Sequence, residues 1–116
     1  MLAIIIYNEI YERGDHSGII ETSEKITGGV YTDISYKTAV NNIGANNILY
    51  YIPLVISGSN YQDRKNDLRN KAIEYQNTYY DFCNYSYGEL SLITEFFKKA
   101  GRRYGLINEF KNECII

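Results

Sequence analysis

The sequence predicts an α+β fold, with an N-terminal antiparallel β-sheet followed by two long C-terminal α-helices, in an oligomeric assembly. Three observations carry this expectation. β-Branched apolar runs are concentrated in the first half of the chain, two capping boxes of the form Ser-x-x-Gln/Glu follow residue 58, and each box opens an apolar seam with spacings of three and four. At 116 residues the chain suits one domain over residues 1–116, of which 1–58 read as mainly β and 59–116 as a helical pair.

Leu2-Ala3-Ile4-Ile5-Ile6-Tyr7 has the composition of a buried strand and continues through Ile10 and Tyr11. Gly14-Asp15-His16-Ser17-Gly18 supplies a loop before Ile19-Ile20-Glu21-Thr22, the pattern of a hairpin. Gly28-Gly29 punctuates again ahead of Val30-Tyr31-Thr32-Asp33-Ile34, and Ser35 to Asn42 reads as a short helix packing on the sheet through Ala39 and Val40. Ile48 to Ile56 follows as a strand. Its Pro53 cannot donate to a ladder, which predicts an edge strand or a bulge at that residue.

Ser59-Asn60-Tyr61-Gln62 predicts the start of a helix running to about Cys83, with Leu68, Ala72, Tyr75, Tyr79 and Phe82 along one seam. Ser86-Tyr87-Gly88-Glu89 opens a second helix whose seam is Leu90, Ile93, Phe97, Ala100, Tyr104 and Ile107. A first helix of about 24 residues spans roughly 36 Å. A sheet from some 55 residues is too small to cover such a pair, so the helices are expected to project from it and bury their remaining apolar surface against another subunit, as a homodimer or larger closed assembly.

Composition bounds the function classes. Charged residues make up 22%, hydrophobic ones 45%, and the net charge is -2, so avid polyanion binding is not expected and any anion site must be local. The apolar run at the start is too short to span a bilayer and lacks a signal peptide's pattern, which predicts a cytosolic protein with no membrane partner. Cys83, Cys114 and the single His16 match no metal-ligand spacing, and no nucleophile or phosphate-loop motif appears. No catalytic residue, metal or cofactor is therefore expected. The 13 tyrosines have two readings, a binding surface or a low-GC coding bias shared with the abundant Ile and Asn.

The most charged stretch is Lys98-Lys99-Ala100-Gly101-Arg102-Arg103-Tyr104-Gly105. Glu95 stands four residues before Lys99 in the favourable order for a helical ion pair. Arg102 has Lys98, Lys99, Gly105 and Leu106 as helical neighbours, so its charge is met either by a bound anion or by solvent. Gly101 and Gly105 weaken the helix. Either Gly101 breaks it, so that Arg102 begins a new helix with amides aimed at a phosphate, or bare backbone permits close approach by a ligand or a partner helix. Phe82, Tyr85, Tyr87 and Tyr104 have the rings to hold a base, although Phe82 and Tyr104 also lie on core seams. Asn84 reads as a contact to a base edge or as the cap of the first helix.

The closing pattern Phe96-Phe97-x-x-x-Gly101-Arg102-Arg103-Tyr104-Gly105-Leu106-Ile107-x-Glu109-Phe110, after a β-rich half and two long helices, resembles the first-described family of Thoeris anti-defence phage proteins. The architecture is matched along the whole chain and the specific motif over about 15 residues. The resemblance implies a sponge: a homo-oligomer that sequesters cyclic ADP-ribose signals made by host TIR-domain proteins without cleaving them, in pockets between the sheet and helices of adjoining subunits. Arg102 and Arg103 stand in the matching motif and are expected on phosphate. Phe82, Tyr104 and Asn84 are expected as base or ribose contacts from their positions. Two other classes compete, a small phage protein that inhibits a host protein by direct binding and a nucleic-acid binder, the second opposed by the lack of broad basic character.

Overall fold

Alternation along the first strand organises the molecule. The computed structural model describes residues 2–14, 16–32 and 35–116, so the expected loop residue Asp15 and strand residues Asp33 and Ile34 lie outside the described residues. Strand β1 (Leu2–Gly14) pairs antiparallel with β2 (Ile20–Thr32) on one side and with β3 (Ile48–Pro53) on the other, giving the sheet order β2-β1-β3. Ile4 and Ile6 point to one face, where Ile52 and the long helices form the main core. Ala3 and Ile5 point to the other, against Ala39.

That second face is covered by α1 (Tyr36–Ile43), the short helix expected at Ser35 to Asn42, which Ser35 caps by accepting from the Thr38 amide at 3.2 Å. Pro53 ends an edge strand, as expected. The bulge lies earlier, because β1 steps from Ile6 opposite Tyr50 to Tyr7 opposite Ile48 and leaves Leu49 unpaired.

Helix α2 (Tyr61–Asp81) and helix α3 (Tyr87–Tyr104) run antiparallel across the main core. The first cap is one residue later than Ser59: Asn60 Oδ1 accepts from the Asp63 amide at 2.9 Å, while the Ser59 hydroxyl donates to the Asp63 carboxylate at 2.7 Å. Ser86 and Glu89 form the expected capping box. Of the seam residues, Leu68, Ala72, Tyr75, Ile93, Phe97, Ala100 and Tyr104 are buried. Tyr79 is exposed, and Thr78 takes the interior place beside it.

The helix does not break at Gly101. It runs to Tyr104 and ends on Gly105 in the left-handed region (φ 70°), with the Leu106 amide returning to the Gly101 carbonyl at 2.8 Å. Ile107 therefore starts a separate helix, α4 (Ile107–Asn112). Gly101 is buried, and a Cβ there would stand 3.1 Å from the Phe110 ring, so its bare backbone admits α4.

Two expectations about the sheet are corrected. Gly28-Gly29 is not a turn, because β2 runs straight through both residues, opposite Ile6 and Ile5. Nor do the helices project. They lie on the sheet, and the far half of the β1–β2 hairpin projects instead: β3 pairs with β1 only as far as Tyr7, and residues 8–14 continue in a two-stranded ribbon with 20–26. The resulting molecule measures 61 × 27 × 19 Å, with a radius of gyration of 17.0 Å. A compact chain of this length has about 13 Å.

Glu89 ties the helices to the sheet. Its carboxylate accepts from the Ser86 amide at 2.8 Å, closing the capping box, and from the Val30 amide of edge strand β2 at 2.6 Å, across 59 residues of sequence. Burial pushes its pKa up, but the hydrogen bonds from Ser86 and Val30 outweigh burial and hold it below the ordinary glutamate value. A carboxylate with a depressed folded pKa stabilises the protein above its unfolded value, near 4.3, and loses that contribution as pH falls through the folded value. Glu89→Gln is accordingly expected to cost about 1–2 kcal/mol at neutral pH, with the difference from wild type shrinking below about pH 4. Urea midpoints measured from pH 7 to 3 check this, and parallel curves would remove Glu89 as the clamp.

Candidate functional site

The sequence-predicted site residues fall into two groups at opposite ends of the helical pair. Phe82 and Asn84 lie in the connection between α2 and α3, at the amino end of α3. Arg102, Arg103 and Tyr104 form its last turn. The fifteen helical residues 87–101 lie between the two groups and span about 22 Å. Within one chain these five residues do not converge on one ligand.

At the connecting end the rings fill the core. Phe82 meets Tyr85 edge-on at 5.1 Å, and both are buried. The Tyr85 hydroxyl donates to Thr78 Oγ1 at 2.6 Å, and Thr78 in turn donates to the Tyr75 carbonyl at 2.6 Å. Burial pushes Tyr85 up to about 12, with the Thr78 hydrogen bond opposing, so it is a neutral hydroxyl at physiological pH. Tyr75 is raised further by burial and by the neighbouring Tyr79 hydroxyl. Tyr87 is 91% exposed and joins no ring pair among the described residues. These rings therefore do not sandwich a base. Asn84 is exposed, and it is not the helix cap: α2 closes on Phe82, whose amide donates to the Thr78 carbonyl at 2.6 Å.

The opposite end has the charge. Lys99 is paired with Glu95 at 3.0 Å, as the spacing predicts. Lys98, Arg102 and Arg103 are exposed, and among the described residues none of them has an ion-pair partner. Part of this charge is explained locally, because cations in a last turn favour the negative end of a helix. The Arg103 guanidinium lies 5.6 Å from the centre of the Tyr104 ring. Tyr104 is itself buried and packs at 5.3 Å on Tyr61, the first residue of α2, which is 55% exposed. The Tyr61 hydroxyl reaches over the Gly105 turn, within 3.8 Å of where a Cβ would stand.

Thus two guanidinium groups with no ion-pair partner among the described residues share one end of the helical pair with Tyr61, whose ring is 55% exposed. This arrangement can meet an anion carrying a flat ring. Tyr104 supports it from below and gives no free face. Tyr61 had no role in the sequence reading, where it was only an interior position of a capping box. Its place at the site follows from the antiparallel return of α3 to the start of α2.

Lys71 was also not anticipated. It is buried and bonded to Asp67 at 2.8 Å, and the same carboxylate oxygen accepts from the Ser57 amide at 2.9 Å. The i,i+4 spacing of Asp67 and Lys71 was the available signal, but burial was not visible in it.

Among the described residues, no three His, Cys, Asp or Glu side chains gather to hold a metal ion, and no helix is long and apolar enough to cross a membrane. Cys83 and Cys114 are exposed free thiols. No protein-family model, curated protein or solved structure matches the chain.

Proposed function

We propose that the protein binds and sequesters a cyclic nucleotide immune signal of the cyclic ADP-ribose type, made by TIR proteins, without cleaving it, as a phage anti-defence protein acting in the host cytosol. The observation that carries this reading is the pair of exposed arginines, Arg102 and Arg103, without carboxylate partners among the described residues, at the same end of the helical pair as the half-exposed ring of Tyr61. Pyrophosphate is a geometric match for paired guanidinium groups, and a purine can stack on a tyrosine ring. In this reading Arg102 and Arg103 hold phosphate, Tyr61 stacks on the base, and Tyr104 positions both. Phe82 belongs to the core and Asn84 to the far end of the helices.

Thermal shift and native mass measurements against cyclic ADP-ribose isomers, cyclic di- and trinucleotides and linear controls test the reading. A cyclic ADP-ribose isomer is expected to raise Tm and to be released intact on heating. In the Arg102→Ala/Arg103→Ala variant, loss of two charge-assisted contacts of about 1.5–3 kcal/mol each should weaken binding by at least ~100-fold while leaving the fold unchanged. Absence of a shift from every compound would overturn the proposal, and retention of binding in the double variant would move the site elsewhere.

Inhibition of a host protein by direct binding is the second reading, favoured by Tyr80 and Tyr87, which are 95% and 91% exposed. Tyrosine is enriched in protein interfaces. A pull-down from host extract that survives the arginine substitutions, together with no nucleotide response, would favour it.

A further inference from the structure

Charge is divided unevenly along the helical pair. The cations of α3 all lie in its last two turns, at Lys98, Lys99, Arg102 and Arg103, whereas residues 72–97 hold no Lys, Arg or His. Lys71, just before that stretch, is already paired with Asp67 at 2.8 Å. Helix α2 consequently ends against its own dipole. Its last turn has no basic residue and closes on Asp81, which puts a carboxylate at the negative end of the helix. Asp81 accepts from the Tyr50 hydroxyl of β3 at 2.8 Å, and among the described residues it makes no ion pair.

Tyrosine rings stand beside that helix end. Tyr50, Tyr79 and Tyr80 line an open cleft of about 460 Å³ together with Gln76 and Asn77. Tyr79 is held in place by edge-on contacts with Tyr75 and Tyr85, at 5.3 and 5.7 Å, and Tyr50 by its bond to Asp81. Tyr79 is 43% exposed and Tyr80 95%. The face of a tyrosine ring attracts cations, as do a carboxylate and the carboxyl end of a helix. Three kinds of group thus favour positive charge at one place, and the neighbouring sequence supplies none.

We propose that this cleft binds the guanidinium group of an arginine side chain on a partner protein. A planar guanidinium can lie on a tyrosine ring while its N–H groups donate to the Asp81 carboxylate and to the amide oxygens of Gln76 and Asn77. The openness of the cleft selects the source. Sites for free small molecules enclose most of their ligand, whereas tyrosine and arginine are the residues enriched where proteins meet. The cleft lies at the end of the helical pair opposite Arg102 and Arg103, so the inference stands apart from the nucleotide reading. It gives direct binding to a protein a specific chemistry without requiring that the bound protein be inhibited.

NMR titration of the isotope-labelled full chain tests it, with acetyl-arginine amide as the probe and the acetyl-citrulline amide, equal in shape but uncharged, as the control. Arginine is expected to shift the amides of Tyr50, Tyr80 and Asp81 with a Kd on the order of 10 mM, and citrulline to leave them unmoved. Asp81→Asn keeps an acceptor for Tyr50 and removes the charge, and should weaken binding by at least ~3-fold. Tyr80→Ala, at a side chain outside the core, should weaken it by about two- to fivefold. Circular dichroism of both variants should match wild type. The same arginine between two leucines in a capped tripeptide should bind at least ~3-fold tighter, because its neighbours add apolar contact with the exposed rings. No shift with arginine, an equal response to citrulline, shifts centred elsewhere, or undiminished binding in Asp81→Asn would each overturn the proposal. No gain from the tripeptide would assign the cleft to a free cation and overturn the protein partner.

Discussion

Replacing Phe97 with alanine is expected to destabilise the protein by about 3–5 kcal/mol, a large part of the ~5–15 kcal/mol that holds a typical domain folded. Phe97 is fully buried where α2, α3 and α4 meet. It stacks on Tyr75 at 5.5 Å and meets Phe96 and Phe110 edge-on at 5.1 and 5.6 Å. The surrounding rings cannot close the hole. Tyr75 is held by its hydroxyl to Tyr79, and Phe110 is held against the bare backbone of Gly101. A cavity that does not relax costs the lost transfer energy and the lost contacts together. Urea unfolding measures the effect. Phe97→Leu should cost less, because the smaller aliphatic side chain still fills most of the space. A loss below about 1.5 kcal/mol for Phe97→Ala would mean that the helices pack some other way.

A comparably large effect is expected at Gly28, where one methyl group should disrupt the β1–β2 pairing. Gly28 has φ +155°, and a Cβ built there collides with the Ile5 carbonyl oxygen and stands 2.9 Å from the Ile6 Cα. Both neighbours are backbone atoms of the central strand, so neither can turn aside as a side chain would. Gly28→Ala is expected to cost at least ~3 kcal/mol, combining conformational strain with the steric shift. Gly14→Ala is the control: nothing lies within 4 Å of its Cβ, and a change within about 0.5 kcal/mol is expected. Thermal unfolding of the two variants side by side decides the matter, and equal Tm values would contradict the described strand path.

Legibility in the sequence followed how local each signal was. The Ser86–Glu89 box, the Pro53 edge and the Ser35 helix are readable because donor and acceptor, or breaker and break, lie within a few residues. Gly28 and Gly29 were misread because a glycine pair signals a turn and a close approach alike. Only the positions of Ile5 and Glu89, far away in sequence, distinguish the two. Of the two readings of Gly101, a helix break or a bare backbone for close approach by a helix, the second holds and the break falls at Gly105; only Phe110 of α4 decides between them. The projecting element was assigned to the helices on an area argument that omitted α4 and Ile115, which help to close the helical pair. For the candidate site, the two arginines were legible as a local excess of charge. Phe82 and Asn84 were grouped with them by sequence proximity to the helices, and antiparallel packing puts them at the other end. Tyr61 entered by the same geometry.

The ribbon beyond Tyr7 has one further consequence, for how the sheet opens. Ile4 and Ile6 are held between two neighbouring strands and under the helices, whereas residues 8–14 have β2 alone. Amide protons along β1 should therefore exchange with solvent along a gradient. The slowest should be at Ile4 to Ile6, where release needs global unfolding, and the fastest toward Gly14, where fraying of the tip is enough. The hairpin would then behave as a tether whose free end searches a volume before it settles. Its base would keep the orientation fixed throughout.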